Sequence, residues 1–354
     1  MSTPGAVIID RDDLNVKHEK FCVSIENSGV SAGTDINDTI LGSLLRAGVG
    51  MPYECNSGGC GSCKFTLIEG TISEDEGEWQ GLRPSDVRKN KHLACVSRAQ
   101  SDCLINVKLD SIYEPKIKPF KSSARFVSSA PLTHDLWEFE FKSDGPAFFM
   151  PGQYAKLIIP GVSGPRSYSM SNIANSDGRW FFQIKRVPEG EATSVLFERI
   201  KEGQLITIDG PYSIAHLNTN SPNSVVCIAG GSGLAPMVSI IRGIAEDKGS
   251  AAGPILYYGA RSPRDVVDPE YFSSIKGFDS THQYVPVVSE AKPGEWIDGP
   301  TGFVHEHLQD ALPVNCSNID FYIAGPPPMV EAVRRHLVLE RKVPMEHLHY
   351  DRFF

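Results

Sequence analysis

Four cysteines in the first third of the chain have the spacing of a metal-binding set. Cys55, Cys60 and Cys63 fall in the loop CNSGGCGSC, and Cys95 follows after 31 intervening residues. Three closely spaced thiolates and a distant fourth are the plant-type arrangement around two irons and two sulfides. The glycines suit a backbone that wraps a cluster closely and turns its amides toward the sulfurs. We therefore predict that these four cysteines bind a [2Fe–2S] cluster.

A zinc site is the alternative for the same cysteines. A zinc knuckle uses two CxxC pairs, whereas here only Cys60 and Cys63 form one, so the spacing favours the iron–sulfur cluster. We expect the remaining cysteines, which fall outside this pattern, to be buried free thiols. They are Cys22, Cys103, Cys227 and Cys316.

The segment Arg166-Ser167-Tyr168-Ser169 lies in a predicted strand, with Arg166 and Tyr168 on one face and the serines on the other. An arginine can pair with phosphate, a tyrosine can pack on an aromatic ring, and a serine can hydrogen-bond a ring nitrogen. Alone the pattern is weak, and an ordinary surface strand is the alternative. The segment Gly190 to Ser194, with Thr193, begins a helical stretch whose amides favour a pyrophosphate. Together the two segments predict a flavin nucleotide site.

A strand, a glycine-rich turn and a helix follow one another at IAGGSGLAPM. Gly230, Gly231 and Gly233 let a nucleotide pyrophosphate approach the backbone and meet the helix N-terminus. Pro236 occupies a late position of the motif, which departs from GxGxxG, and a tight structural turn is the alternative. A second loop after a strand, with Gly325 and Pro326, is expected at the same crevice.

The nucleotide preference is set by the segment after the next strand, where Arg261, Arg264 and Asp265 lie close together. An acid favours the free ribose hydroxyl of NADH, whereas an arginine accepts the 2′-phosphate of NADPH. The sequence holds both signals, and we interpret Asp265 as favouring NADH.

The pattern of short apolar runs divides the chain into three domains, so the fold class is multidomain α+β and α/β. An α+β domain is predicted over 1–113, with a helix from Asn37 to Gly48 capped by Asp35 or Asn37. The Pro- and Lys-containing segment 114–123 is predicted to be a linker. An antiparallel barrel or sandwich is predicted over 124–216, and a parallel sheet with crossover helices over 217–354.

Composition excludes several classes of function. The chain has 354 residues and a net charge of -9, which argues against nucleic-acid binding because phosphate contact needs clustered Lys and Arg. No apolar run reaches the roughly 18 residues that span a membrane, and the N-terminus lacks a secretory pattern, so we expect a cytoplasmic protein and a monomer. The acidic run Glu74 to Glu78 is interpreted as a solvated face. The pairs His305/His307 and His347/His349, in strand-like or terminal segments, are expected to pack or be solvated rather than bind metal.

In combination, the cysteine loop, RSYS, GGSGLAPM, GPPPM and the ending HYDRFF are specific. The chain resembles the reductase components of bacterial multicomponent oxygenases over nearly its whole length. These belong to the ferredoxin:NADP reductase superfamily with a fused plant-type ferredoxin. The runs VRKNKHLAC, PTGFVHE and KVPMEHLHYDRFF are most similar to the branch serving diiron monooxygenases, such as toluene 4-monooxygenase.

The resemblance implies a β-grasp ferredoxin domain, a Greek-key barrel for FAD and a Rossmann-like NAD(H) domain. By motif, Arg166, Tyr168 and Ser169 would hold FAD, with Ser169 near the flavin N5, and Gly190 to Ser194 would bind its pyrophosphate. Phe353 matches a terminal aromatic beside the isoalloxazine. Many relatives carry a cysteine where this chain has Ala324.

The expected activity is electron transfer from NADH through FAD and the cluster to a Rieske-type ferredoxin or a diiron hydroxylase, in a transient complex. The cofactors carry this chemistry and the protein orients them. A Rieske ring-hydroxylating dioxygenase is an alternative partner. A non-catalytic carrier, whose C-terminal half has lost its cofactors, is a further alternative, against which the intact motifs argue.

Overall fold

The N-terminal unit is a mixed five-stranded sheet crossed by one main helix. The computed structural model describes residues 20–246 and 253–354, so residues 1–19 of the predicted first domain lie outside the described residues. Its elements are β1 (Lys20–Ile25), β2 (Ser31–Asp35), α1 (Ile40–Ala47), β3 (Lys64–Glu69), β4 (Ile72–Glu74), α2 (Pro84–Val87), β5 (Lys91–Leu93), β6 (Ser97–Ala99) and β7 (Cys103–Asn106). The sheet order is β2-β1-β7-β3-β5, and β4 pairs with β6. The long connection from α1 to β3 is the cysteine loop.

Helix α1 packs an apolar face on this sheet, as the spacing of its leucines predicts. The predicted cap was wrong: Thr39, not Asp35 or Asn37, caps the helix, and its hydroxyl accepts the Gly42 amide hydrogen at 3.1 Å. Gly48 ends the helix with a φ of 90°, a conformation that favours glycine. The nearby Asp38 carboxylate instead accepts hydrogen bonds from Arg46.

The middle unit is a nearly closed antiparallel barrel of six strands with one helix. Its elements are β8 (Phe120–Pro131), β9 (Leu136–Ser143), β10 (Tyr154–Ile158), β11 (Arg166–Ser169), β12 (Arg179–Lys185), α3 (Glu191–Glu198) and β13 (Leu205–Tyr212). The order is β11-β10-β13-β8-β9-β12, and a bridge between Met170 and Phe182 brings the two edge strands together. Strand β8 begins at Phe120, inside the segment predicted as a linker, because 120–125 pairs with β13. The connection between the units is therefore shorter than 114–123.

The C-terminal unit is a parallel five-stranded sheet with helices on both faces. Its elements are β14 (Ser224–Gly230), α4 (Leu234–Glu246), β15 (Ile255–Ala260), α5 (Ser280–Gln283), β16 (Tyr284–Val288), α6 (Val304–Ala311), β17 (Ile319–Gly325), α7 (Pro327–Arg335) and β18 (Leu348–Arg352). The order is β16-β15-β14-β17-β18. The central strands β14 and β17 are buried along most of their length, as covered parallel strands are. The chain changes direction across the sheet between β14 and β17, where ligands of such sheets bind.

The units share buried contacts. Tyr154 and Tyr212 of the barrel are buried in the same apolar cluster as the core of the N-terminal unit. The Arg46 guanidinium on α1 donates to Asp209 on β13 at 2.8 Å. In the described part of the chain, no helix is both long and apolar enough to cross a bilayer.

Candidate functional site

One cavity of about 1020 Å³ lies where the three units meet. The barrel contributes β11 and the end of β12, and the parallel sheet contributes the loops after β14, β15 and β17. The cysteine loop contributes Glu54, Cys55 and Ser57, and the chain's last four residues complete the wall. A predicted metal ligand, the RSYS strand and both glycine loops therefore border the same space.

All four residues of the RSYS strand line the cavity, including the two serines that were predicted on the face opposite Arg166 and Tyr168. Ser169 is buried, and its hydroxyl has no hydrogen-bond partner in the described structure. A buried hydroxyl without a partner is costly, so its position in the cavity wall fits a polar atom of a bound ligand. Burial raises the pKa of Tyr168 to about 12, which keeps this phenol neutral. Arg166 lies at the more exposed end, 3.6 Å from Glu191.

Helix α3 begins beside Arg166, with Gly190 as its N-cap. The Thr193 hydroxyl donates to carbonyls of the turn before the helix, at 3.1 Å to Val187 and 3.2 Å to Gly190. Thr193 thus fixes the loop and also lines the main cavity, whereas Ser194 lines a smaller neighbouring cavity. The free amides of this turn and Arg166 form the polar end of the barrel wall, which suits a pyrophosphate.

The glycine turn after β14 divides into residues that line the cavity and residues that shape it. Gly230, Gly231 and Pro326 line the cavity. Gly233 does not, because it packs against β17 so closely that a Cβ would lie 2.1 Å from the Ala324 carbonyl oxygen. Two other predicted residues also do not line the cavity. Pro236 is buried within α4, and Gly325 lies against Met329.

Asp265 ends a short 3₁₀ turn between the two cavities. Its carboxylate accepts the amide and hydroxyl hydrogens of Ser262 at 2.9 and 2.7 Å, and the Lys185 ammonium lies 3.8 Å away. Burial opposes the charge, but the hydrogen bonds from Ser262 and the positive charge of Lys185 outweigh it and lower the pKa of Asp265. The group is therefore a fixed anion at neutral pH.

The four predicted ligands converge at the edge of the N-terminal unit. Three are buried, and the thiols interact in two pairs, Cys55 with Cys60 and Cys63 with Cys95. The amides of Ser57 and Cys60 donate to the Cys55 sulfur at 3.4 and 3.3 Å. Hydrogen bonding from the Cys60 thiol and from these amides, against the effect of burial, lowers the pKa of Cys55 to about 6. Four convergent thiols and amides aimed at sulfur fit an iron–sulfur cluster.

Asn56, which directly follows Cys55, also has side-chain polar atoms without a hydrogen-bond partner. The residue is buried and has a φ of 51°, and neither its side-chain amide nitrogen nor its side-chain oxygen has a hydrogen-bond partner in the described structure. Unpartnered buried polar atoms beside four thiols indicate that the loop is shaped around a group that the protein atoms alone do not provide.

The remaining cysteines lie outside the set. Cys103, Cys227 and Cys316 are buried, as predicted, but Cys22 on β1 is only half-buried. The prediction that His305 and His307 lie in a strand-like segment was wrong: both lie on α6, because residues 303–311 have helical apolar spacing. His349 on β18 stacks on Tyr322 at 4.6 Å, a packing role of the kind predicted.

Several residues of the site were not identified by the sequence analysis. The Asp351 carboxylate is buried in the cavity wall and accepts the Ser213 hydroxyl hydrogen at 2.8 Å. Glu54 pairs with Arg352, and Phe354 lies on the cysteine loop. The signal was the ending YDRFF, in which two charged residues stand among aromatics near a strand end. The predicted Phe353 lines the cavity, and its amide donates to the Gly325 carbonyl at 3.0 Å.

Comparisons with known proteins agree with this arrangement. Three family models match: a 2Fe-2S iron-sulfur cluster binding domain over 23–100, an oxidoreductase FAD-binding domain over 123–216 and an oxidoreductase NAD-binding domain over 227–335. The ferredoxin–NAD(P)+ reductase CarAd of Metapseudomonas resinovorans is 39% identical, covering 89% of this chain and 94% of that protein. The ferredoxin–NAD+ reductase component of the alkene monooxygenase system of Xanthobacter autotrophicus is 34% identical, covering 92% and 99%. A solved ferredoxin reductase in carbazole 1,9a-dioxygenase superposes with a TM-score of 0.87 at 36% identity, covering 95% and 99%.

Proposed function

Because the chain belongs to the family of ferredoxin–NAD(P)+ reductase components of oxygenase systems, we propose that it passes electrons from NADH through FAD and a [2Fe–2S] cluster to a separate ferredoxin. The observation that carries this proposal is the single cavity bordered by Ser169, Gly230 and Cys55. A hydride donor site, a flavin site and a cluster ligand on one cavity allow electron flow without any rearrangement of the units. No general acid or nucleophile is needed, since the cofactors supply the redox chemistry.

Bound FAD supplies the conversion between a two-electron donor and single-electron acceptors. The barrel wall orients it: Arg166 and the amides after Gly190 pair with phosphate, and Tyr168 packs on a ring. The Ser169 hydroxyl gains the hydrogen-bond partner that it lacks among the protein atoms. Phe353 lines the same cavity, where it would lie beside the flavin ring.

On the nucleotide side, Gly230 and Gly231 present backbone without side chains, so a pyrophosphate can come close. Asp265 is an anion held by Ser262, and it accepts hydrogen bonds from ribose hydroxyls but repels a 2′-phosphate. Arg261 lines both cavities and Arg264 lines the smaller one, and either arginine would favour a phosphate. We assign the preference to NADH because the Asp265 carboxylate is held in place by Ser262 where it borders both cavities.

The four cysteines would hold the cluster, which would supply one-electron transfer, and the protein surface around them would form a small, transient interface with the partner. We propose a monomeric cytoplasmic protein. The partner is the ferredoxin or hydroxylase of a diiron monooxygenase that acts on aromatic or alkene hydrocarbons. A ferredoxin of a Rieske dioxygenase is the second candidate, favoured by the likeness to the reductase in carbazole 1,9a-dioxygenase.

An anaerobic titration of the purified protein with NADH tests the proposal. We expect the flavin absorbance to bleach and an EPR signal from one reduced [2Fe–2S] cluster to appear. A flavin-free protein, or NADH that leaves both chromophores oxidised while dithionite reduces the cluster, would favour the non-catalytic carrier. Steady-state reduction of a monooxygenase ferredoxin and of a dioxygenase ferredoxin then separates the two partner classes.

A further inference from the structure

The last four residues of the chain contact both the cofactor cavity and the cysteine loop. Strand β18 is aligned on β17, with Arg352 opposite Gly325, and Phe353 continues this pairing through its bond to the Gly325 carbonyl. The backbone of this segment is therefore fixed to the nucleotide unit. Its side chains nevertheless reach the N-terminal unit.

Arg352 forms an ion pair with Glu54, the residue that precedes the first predicted cluster ligand, Cys55. Its Nε and Nη2 donate to the two carboxylate oxygens of Glu54 at 2.7 and 2.5 Å. Its Nη1 donates to Glu331 on α7 at 2.8 Å. A bidentate arginine–carboxylate pair fixes direction as well as distance, and both side chains are mostly buried. The Glu54 carbonyl also accepts the Tyr154 hydroxyl hydrogen at 2.7 Å, so the barrel holds the same residue.

Phe354 touches the same loop on the other side of Cys55. A Cβ placed on Gly59 would lie 2.6 Å from the Phe354 Cβ and Cγ, so only glycine leaves room for this ring. Gly59 directly precedes the second ligand, Cys60. The ring is 51% exposed, and the Arg352 guanidinium lies 5.6 Å from its centroid.

Alternation along an extended chain explains this arrangement. Arg352 and Phe354 point to the cysteine loop, whereas Asp351 contacts Ser213 and Phe353 packs on the core of the nucleotide unit. Residues of one extended segment thus border the cofactor cavity and hold the loop that carries three ligands. Each of the two contacts lies one residue before a ligand.

We propose that Arg352 and Phe354 are positioning residues that hold the cysteine loop against the cofactor cavity and so set the rate of flavin-to-cluster electron transfer. This inference rests on the proposed function. Per cycle, NADH gives up a hydride, two oxidised one-electron acceptors are each reduced once, and NAD+ and one proton are released. The two residues transfer no electron or proton. They fix the distance between the cysteine loop and the cofactor cavity.

The test compares Arg352→Met, Arg352→Lys and Phe354→Ala in the complete protein with both cofactors bound. Matched controls are Arg179→Met, which removes an arginine–glutamate pair of the barrel at 2.7 Å, and Phe148→Ala, which removes a phenylalanine that is 55% exposed. Neither control residue lines the main cavity. The first readout is hydrogen–deuterium exchange of residues 53–62 in the oxidised protein, which needs no turnover.

The second readout is anaerobic stopped-flow absorbance with NADH, which separates flavin reduction from cluster reduction. For Arg352→Met we expect exchange in the loop to rise by about tenfold. Cluster reduction should slow by about tenfold or more, since small misplacements cost large rate factors. Flavin reduction by NADH, measured in the same traces, should slow less than cluster reduction, because the Arg352 guanidinium bonds to Glu54 beside the cysteine loop.

Phe354→Ala should show the same pattern with a smaller change, and Arg352→Lys should be intermediate, since lysine keeps the charge but not the fork. Because Phe354 is exposed, the Phe354→Ala variant tests the proposal even if Arg352→Met unfolds. Loop exchange and cluster reduction equal to those of the controls would overturn the proposal. If NADH does not reduce the cluster of the parent protein, the proposed function fails instead, and loop exchange still shows whether the two residues hold the loop.

Discussion

The cysteine loop and the nucleotide wall border the same cavity, but they are built to bind in opposite ways. The loop offers four thiols, three of them buried, and backbone amides already aimed at sulfur. The nucleotide wall offers glycine backbone at Gly230, Gly231 and Gly259 together with noncovalent side-chain contacts, and its carboxylate Asp265 borders both cavities. Thiol ligands in a preshaped loop suit a resident cofactor. A wall that offers only noncovalent contacts suits a molecule that must enter and leave.

This difference separates the binding of the molecule that delivers two electrons from the binding of the cofactor that accepts one electron at a time. A nucleotide that enters and leaves is held by separate noncovalent contacts, so each group there should tune affinity or preference. The resident cluster is bound by covalent ligands that act as a set. Substitutions of the cluster ligands should therefore abolish cluster reduction. Substitutions in the nucleotide wall should instead change nucleotide affinity or preference by degrees.

Cys95→Ser is the substitution with the largest expected effect on this difference between the loop and the nucleotide wall. The variant should lose the cluster absorbance and the reduction of any ferredoxin, because three thiolates do not complete a four-thiolate site. Oxidation of NADH with ferricyanide, which accepts electrons from flavin, should persist. Cys22→Ser, which changes a half-buried thiol outside the set, is the control and should keep both activities. A Cys95→Ser protein that retains the EPR signal would remove Cys95 from the ligand set.

Ser169→Ala probes the barrel wall. The hydroxyl is buried without a partner, so a bound flavin is its expected partner, and the loss of that bond should slow flavin reduction by about tenfold. Stopped-flow reduction by NADH measures this. Ser167→Ala, on the same strand but less buried, should change the rate much less. Equal effects of both variants would contradict a specific role for Ser169.

Asp265→Asn sharpens the nucleotide side of the comparison. Removal of the anion should raise kcat/KM for NADPH relative to NADH by about fivefold, as expected for a partly exposed charge. Because the pKa of Asp265 is lowered, its carboxylate should stay ionised as the pH falls from 8 to 6, so any change of preference in this window should come from protonation of the 2′-phosphate of NADPH, whose second pKa is about 6. Asp135→Asn, which removes the other carboxylate beside Lys185, is the control. An unchanged ratio in Asp265→Asn would assign the preference elsewhere.

The sequence predicted the three units and the cavity-lining motifs because each depends on local signals. Cysteine spacing, glycine turns and apolar periodicity are all set within about ten residues of the feature they indicate. The helix cap was missed because Asp35, Asn37 and Thr39 all suit a cap by residue type, and only the structure shows that the Thr39 hydroxyl accepts the Gly42 amide hydrogen. The start of β8 was missed because its lysines and serines pair with β13, which lies about eighty residues later.

Contacts between the units had no local signal at all. Glu54 and Arg352 are almost three hundred residues apart, and neither belongs to a motif that predicts a partner. The role of Gly59 follows from the position of Phe354, not from the turn in which Gly59 lies. Gly233 and Pro236 were predicted at the ligand because they belong to the motif. In the structure they pack between the elements that the motif joins.

The smallest expected effect concerns the buried carboxyl where the two regions meet. Burial raises the pKa of Asp351 to about 7, although the hydrogen bond from Ser213 opposes this. An unfolded aspartate titrates near 4, so between about pH 4 and 7 the folded protein holds a proton that the unfolded chain has released. The free energy of unfolding should therefore fall as pH rises through this window. Asp351→Asn, which cannot ionise, should flatten that part of the profile of urea midpoints measured from pH 5 to 8. Asp144→Asn, whose carboxyl is 87% exposed, should keep the parent slope. A parent slope retained in Asp351→Asn would place the titrating group elsewhere in the cavity wall.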